Sequence, residues 1–190
     1  MPFENRLFID YAWILRRLYD LFYGINISDQ NFKGSALEVA LRQKPSVLPY
    51  GRCKSNAGEK RQIDYACKVN DCLVIAECKA VSRSIAFDRG HPEAIQYRVE
   101  KVVNRCLAEA DEKANWLIAN PKGSNYDIAN YKSILPVGIS PFVEFIPSLA
   151  SKYWIQEKTP RVLTPDEFKK LMKNFEIIES AWNLVFLQDQ

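Results

Sequence analysis

"RQIDYACKVNDCLVIAECKA", Arg61 to Ala80, decides how this chain is read. Apolar and polar residues alternate on either side of Asn70-Asp71, two residue types that tolerate positive φ and suit a two-residue hairpin turn. Such a turn fixes the register. Val69 then faces Cys72, and counting outwards puts Asp64 opposite Glu77 and Gln62 opposite Lys79. Directly opposed residues share a face, with Cβ atoms about 4.5–5.5 Å apart. Glu77 and Lys79 share that face because strand side chains have a period of two. Cys67, Cys72 and Cys78 fall on the other one. Two facing carboxylates repel, and "CLVIAEC" is too apolar for a well-solvated edge. A shared proton, a neighbouring lysine or a divalent cation must offset the repulsion. Oxygen ligands at close quarters favour Mg²⁺ or Mn²⁺ over zinc. The plainer alternative is a surface ladder in which Lys79 neutralises Glu77.

Outward from the hairpin, the pattern predicts a mixed α/β domain. Leu7, Tyr11, Ile14, Leu18 and Phe22 recur at helical spacing over residues 5–23. A second helix begins in "KGSALEVALRQ", where Ser35 and Glu38 form a capping box and Pro45 stops it. "SVLPY" reads as a short strand, "GRCKSNAGEK" as a polar loop and "VSRSIAFDRGH" as another. Pro92 opens a long helix with Ile95, Val99, Val102, Cys106 and Ala110 on its apolar face. "YKSILPVGISPFVEFI" holds one or two strands broken by prolines. Thr164, Pro165 and Glu167 open a late helix with a second capping box. The apolar tail "FEIIESAWNLVFLQ" either finishes the core or pairs with a second subunit, as in a homodimer.

The chain has 190 residues, 47% of them apolar and 12% aromatic, enough for one domain with a core. No window reaches the ~18 uninterrupted apolar residues of a membrane span. The start "MPFENRLFIDYAW" lacks the basic-then-apolar order of a signal peptide, so the expectation is a soluble cytoplasmic protein. Five cysteines without an export signal predict thiols rather than disulfides. They form no C-x-x-C pair, which argues against an iron–sulfur cluster. The net charge of +3 is unevenly spread. Residues 33–61 carry Lys33, Arg42, Lys44, Arg52, Lys54, Lys60 and Arg61 against Glu38 and Glu59. A basic zone beside a site suits a polyanion; a solvated surface is the other reading. Arg98, Lys101 and Arg105 form a second basic stripe at helical spacing.

Asp64, twelve residues, then Glu77-Cys78-Lys79, with "IAECKA" closing an apolar strand, resembles the PD-(D/E)xK nuclease superfamily of restriction endonucleases and archaeal Holliday-junction resolvases. "KGSALE" is similar to the first helix of the resolvase-type members, and the resemblance covers about residues 33–105. Ile63 stands where the name motif has proline. The resemblance implies a restriction endonuclease-like core: a central mixed β-sheet flanked by helices, in the order α-β-β-β-α-β. Residues 31–146 would be the core, 1–30 an N-terminal helical extension and 147–190 a C-terminal one. It also implies a DNA-cleaving activity with Mg²⁺ (or Mn²⁺) held by Asp64, Glu77, Glu38 and the Cys78 backbone carbonyl, and Lys79 as the catalytic lysine. DNA would then lie on Arg52, Lys54, Lys60, Arg61, Arg98 and Lys101. Two readings of Glu38 stay open: it closes the capping box, or it reaches the metal. The resemblance implies no small-molecule cofactor.

The chemistry asks for these groups. A phosphodiester is anionic and repels hydroxide; a metal neutralises a nonbridging oxygen and acidifies a bound water. Lys79 can orient the attacking water or stabilise charge on the phosphorane. Two adjacent carboxylates raise its pKa, which suits positioning rather than proton abstraction. The same fold without activity, as a nucleic-acid-binding or assembly module, is the alternative. His91, before Pro92, has no evident partner for a nucleophilic triad. Gln96 and Tyr97 lie too close together for the exonuclease-type Gln–Tyr pair, whose Tyr place Glu100 takes.

Overall fold

The computed structural model describes residues 2–3, 6–7, 49, 51–156, 158–173 and 185–186. Most of the N-terminal helix, the "KGSALE" helix with Ser35 and Glu38, and the "SVLPY" strand apart from Pro49 lie outside those residues. Arg6–Leu7 is extended and pairs with Pro2–Phe3, where helical spacing predicts helix. That small ladder partners backbone groups which a first helical turn leaves unpaired.

The first large departure is a second hairpin. Gly51–Lys54 (β1) and Lys60–Ile63 (β2) pair antiparallel, where the sequence reads as a polar loop over 51–60 and, from Arg61, as the start of the strand that runs on to Val69. Alternation explains it. Cys53 and Ile63 are buried, whereas Arg52, Lys54, Lys60 and Gln62 share the exposed face. One cysteine and one isoleucine are too weak an apolar signal to announce a strand pair. The side chain of Asn125 pins it, accepting from the Lys54 N–H at 3.0 Å and donating to the Arg52 carbonyl at 2.8 Å.

Tyr65–Val69 (β3) and Cys72–Cys78 (β4) are the expected hairpin, in the expected register from Val69↔Cys72 to Tyr65↔Ala76. Asn70 takes the positive φ, +50°. Beyond Tyr65 the register does not continue: Gln62 pairs with Arg52 of β1, not with Lys79. Asp64 sits at the bend between the two hairpins.

The loop after β4 contains a helical turn, Ile85–Asp88, capped by Ser84. Pro92–Arg98 (α1), a π-helical segment at Val99–Asn104 and Arg105–Ala119 (α2) then follow without a break. Ser133–Ile139 (β5) is parallel to β4, as a helical crossover requires. Val162–Leu163 (β6) pairs with one end of β5 in parallel. Pro165–Lys173 (α3) starts with its capping box formed: the Thr164 N–H donates to Glu167 Oε2 at 2.8 Å, and the Glu167 N–H to Thr164 Oγ1 at 3.3 Å. Val185–Phe186 (β7), within the apolar tail, pairs with the other end of β5.

The result is a mixed five-stranded sheet with helices on both faces. On one face Leu73, Ile75 and Ile134 pack against Ala114 and Leu117 of α2. On the other, Cys72, Val74 and Ala76 pack against Phe168 and Leu171 of α3. Pro136 lies in the middle of β5. A proline offers no N–H to a ladder, and the two short partner strands leave its outer side open. There the Arg161 guanidinium donates to the Pro136 carbonyl at 3.0 and 3.2 Å. Among the described residues no helix is long and apolar enough to cross a membrane.

Candidate active site

The end of β4 is where charge enters this core. Glu77 follows Leu73 and Ile75 at the strand's period of two and so points to the α2 side. It is 4% exposed, and Asp64 is 8% exposed. The Asp64 carboxylate replaces the next rung of the ladder: Oδ2 accepts the Cys78 N–H at 3.0 Å. In an extended strand the N–H and C=O of one residue point the same way, so the Cys78 carbonyl faces the Asp64 side as well.

Two lysines bracket Glu77. Lys79 Nζ lies 2.8 Å from Glu77 Oε1 and 2.5 Å from Glu109 Oε2. Lys113 pairs with Glu77 Oε2 and stands 3.8 Å from Asp64 Oδ1. Arg105 closes the set, 2.6 Å from Glu109 Oε1. Glu109 and Lys113 have no place in the sequence reading. They reach the site because Arg105, Glu109 and Lys113 form one stripe of α2 at spacings of four. The seat of that stripe is tight: a Cβ on Gly138 of β5 would stand 2.6 Å from Cys106 Sγ. Cys106 in turn donates its thiol to the Glu77 carbonyl at 3.3 Å.

Electrostatics separates the carboxylates. Burial, then the charge of Asp64, pushes Glu77 up to about 7, against the pull of Lys113 and Lys79. Burial also works to raise Glu109, but hydrogen bonds with Glu77, Lys79 and Arg105 outweigh it and bring it to about 2. Burial alone would lower Lys79; its bonds to Glu109 and Glu77 dominate and raise it. A lysine held in its charged form can orient and stabilise but not take a proton.

The chain, set against known proteins, matches no family model, no curated protein and no solved structure.

The remaining expected residues divide clearly. Arg52, Lys54 and Lys60 stand exposed on one face of the β1–β2 hairpin, which runs directly into Asp64. Arg61 lies on the other face and bonds Glu112 at 3.2 Å. Lys101 is exposed in the π segment. Arg98 is not available to a phosphate. It is 3% exposed, its guanidinium grips both oxygens of Glu144 and it donates to the carbonyls of Val81 and Ser82. The π segment between Arg98 and Arg105 breaks the α spacing on which a common basic stripe depended. None of the five cysteines forms a disulfide, and burial pushes Cys53 up to about 11 and Cys67 to about 12. Such thiols are inert packing groups.

Whether a divalent cation fits can be judged from the positive charge already there. Asp64 Oδ1 and Glu77 Oε2 converge on one ammonium, that of Lys113. A position between two carboxylates that holds one cation suits another, with the Cys78 carbonyl turned to the same side. Among the described residues no group of three or more His, Cys, Asp or Glu has metal-holding geometry. Mg²⁺ asks for less, since it binds through one or two carboxylates and keeps several waters.

Proposed function

We propose that the chain is a metal-dependent nuclease that hydrolyses DNA phosphodiester bonds, built on a restriction endonuclease-like core. One observation carries the reading: Asp64, from the bend between β2 and β3, and Glu77, from the end of β4, come together buried at the mouth of the sheet with Lys79 beside them. Glu77, raised by burial, and Glu109 beside it, lowered by its hydrogen bonds, show the separation of neighbouring carboxylates that acid–base sites use. The exposed basic face of Arg52, Lys54 and Lys60 leads into that mouth and supplies the sequence-independent part of DNA binding.

Asp64 and Glu77, with the Cys78 carbonyl, would hold Mg²⁺ or Mn²⁺. When bound, the ion supplies charge neutralisation at the phosphate and an acidified water. Lys79 stays protonated and orients groups at the scissile phosphate. Glu109 is the second carboxylate that holds the Lys79 ammonium in place.

A second reading has an observation of its own. Lys79, Lys113 and Arg105 match Asp64, Glu77 and Glu109 one for one, so each carboxylate already has a cation beside it without any metal. That favours a non-catalytic nucleic-acid-binding or assembly module. Incubation of plasmid, linear duplex, single-stranded, flapped and four-way DNA with Mg²⁺, Mn²⁺ or EDTA separates the two. Divalent-dependent cleavage lost in Asp64→Asn supports the nuclease; binding without cleavage under every metal supports the module.

A further inference from the structure

We propose that Lys113 is a built-in counter-cation which occupies the place between Asp64 and Glu77 and which a divalent metal must displace to load the site. The inference rests on the metal reading above and adds a competitor to it.

Three observations point the same way. Lys113 Nζ contacts one oxygen of each carboxylate, Asp64 Oδ1 at 3.8 Å and Glu77 Oε2 more closely. Its side chain is only 15% exposed, so it lies largely inside the protein and not out in solvent as a lysine usually does. Lys113 also differs from Lys79 in what holds it. Lys79 is fixed from two sides, by Glu77 and by Glu109 on the helix. Both partners of Lys113 are the proposed metal carboxylates themselves. Once those oxygens turn to another cation, Lys113 loses its reason to stay in.

Physical chemistry makes the arrangement useful. Bringing Asp64 and Glu77 together without a cation leaves two like charges in a poorly solvated place, which costs folding free energy. A flexible four-carbon ammonium offsets that cost in the empty protein and can withdraw to water without moving the backbone. The cost appears elsewhere: any ligand that binds only after the competitor leaves has its apparent affinity reduced by the strength of the competing contact. The site stays folded without metal and loads only when metal is plentiful.

The test uses the full chain and two readouts, neither of which needs cleavage. Mn²⁺ binding is measured by calorimetry, on the parent and on Lys113→Met. Lysine acetylation by a water-soluble reagent is mapped by mass spectrometry on the parent, with and without saturating Mn²⁺, using the exposed Lys122 as reference. The expected results are roughly tenfold tighter Mn²⁺ binding by Lys113→Met and a several-fold rise in Lys113 labelling on metal addition, with Lys122 unchanged. Equal or weaker binding by a folded Lys113→Met overturns the proposal. So does unchanged or reduced Lys113 labelling in a parent protein that binds Mn²⁺, an arm that holds even where the variant fails to fold. Absence of Mn²⁺ binding by the parent and the variant alike removes the metal reading and the competitor with it.

Discussion

Two buried charge clusters lie along this fold, and they are built on different plans. Each polar atom of the Arg98–Glu144 pair has a fixed partner: both oxygens of Glu144 take the guanidinium, Ser140 donates to the same carboxylate at 2.6 Å, and two backbone carbonyls absorb the remaining donor. The Phe87 and Phe142 rings flank the guanidinium at 5.4 and 5.7 Å. The side chains are 4% and 0% exposed. Around Glu77 the two lysines are 15–18% exposed, one contact stretches to 3.8 Å, and two neighbouring glutamates are pushed in opposite directions. The first cluster has one good arrangement. The second holds charges that can be redistributed, and a site that takes and releases ligands needs that freedom.

Substitutions can break this contrast. The largest effect is expected for Asp64→Asn, which keeps shape and can still accept the Cys78 N–H. Divalent-dependent cleavage should fall by orders of magnitude, while melting in EDTA changes little, because repulsion against Glu77 disappears along with the Lys113 contact. A large loss of stability with no cleavage in the parent would turn the second cluster into a copy of the first. Arg98→Met should show the opposite pattern. Leaving Glu144 buried without its partner costs about 3–5 kcal/mol, readable as a lower denaturant midpoint, and metal affinity should stay as it was.

Subtler measurements sharpen the contrast. On duplex DNA, each of Arg52, Lys54 and Lys60 that meets a phosphate adds about 0.9 to the slope of log K against log salt. Changing all three to alanine should flatten the slope, whereas changing Arg61, already engaged by Glu112, should do less. An unchanged slope in the triple variant would detach the hairpin from DNA. The smallest effect concerns pH. Glu77 keeps its proton up to about 7 when folded and loses it near 4.5 when unfolded. Between those values the folded chain binds more protons, so stability in EDTA should fall as pH rises from about 4.5 to 7 and level off above. Glu109 acts the other way, its contribution fading as pH falls below 4.5. Glu77→Gln should remove the upper slope; a slope that persists in that variant would assign it to another group.

How much of this was legible in the residues follows from the range of each signal. The Asn70-Asp71 turn and a period of two fix β3 against β4 and bring Asp64 near Glu77, because those are local rules. The capping box at Thr164 and Glu167 was legible for the same reason. The β1–β2 hairpin was not, since its buried face offers little beyond Cys53 and Ile63 between polar neighbours. Lys113 and Glu109 were not, because they arrive across the parallel crossover and no local pattern ties position 113 to position 77. A four-residue spacing through Arg105, Glu109 and Lys113 was present in the sequence. The π segment upstream made a basic stripe drawn from Arg98 misleading instead. Glu38 lies outside the described residues, so its two readings stand as they were.

Pro136 has a consequence for how this molecule behaves in a crowd. A long, regular sheet border invites a strand from a neighbouring molecule and, repeated, a fibril. The outer border of β5 offers no such run. β6 occupies one end in one direction, β7 the other end in the opposite direction, and between them stands a residue without an N–H whose carbonyl is already taken by Arg161. A foreign strand would have to evict two short strands of opposite sense and then skip a rung at the centre. That border therefore gives a neighbouring strand no continuous run of backbone groups to pair with.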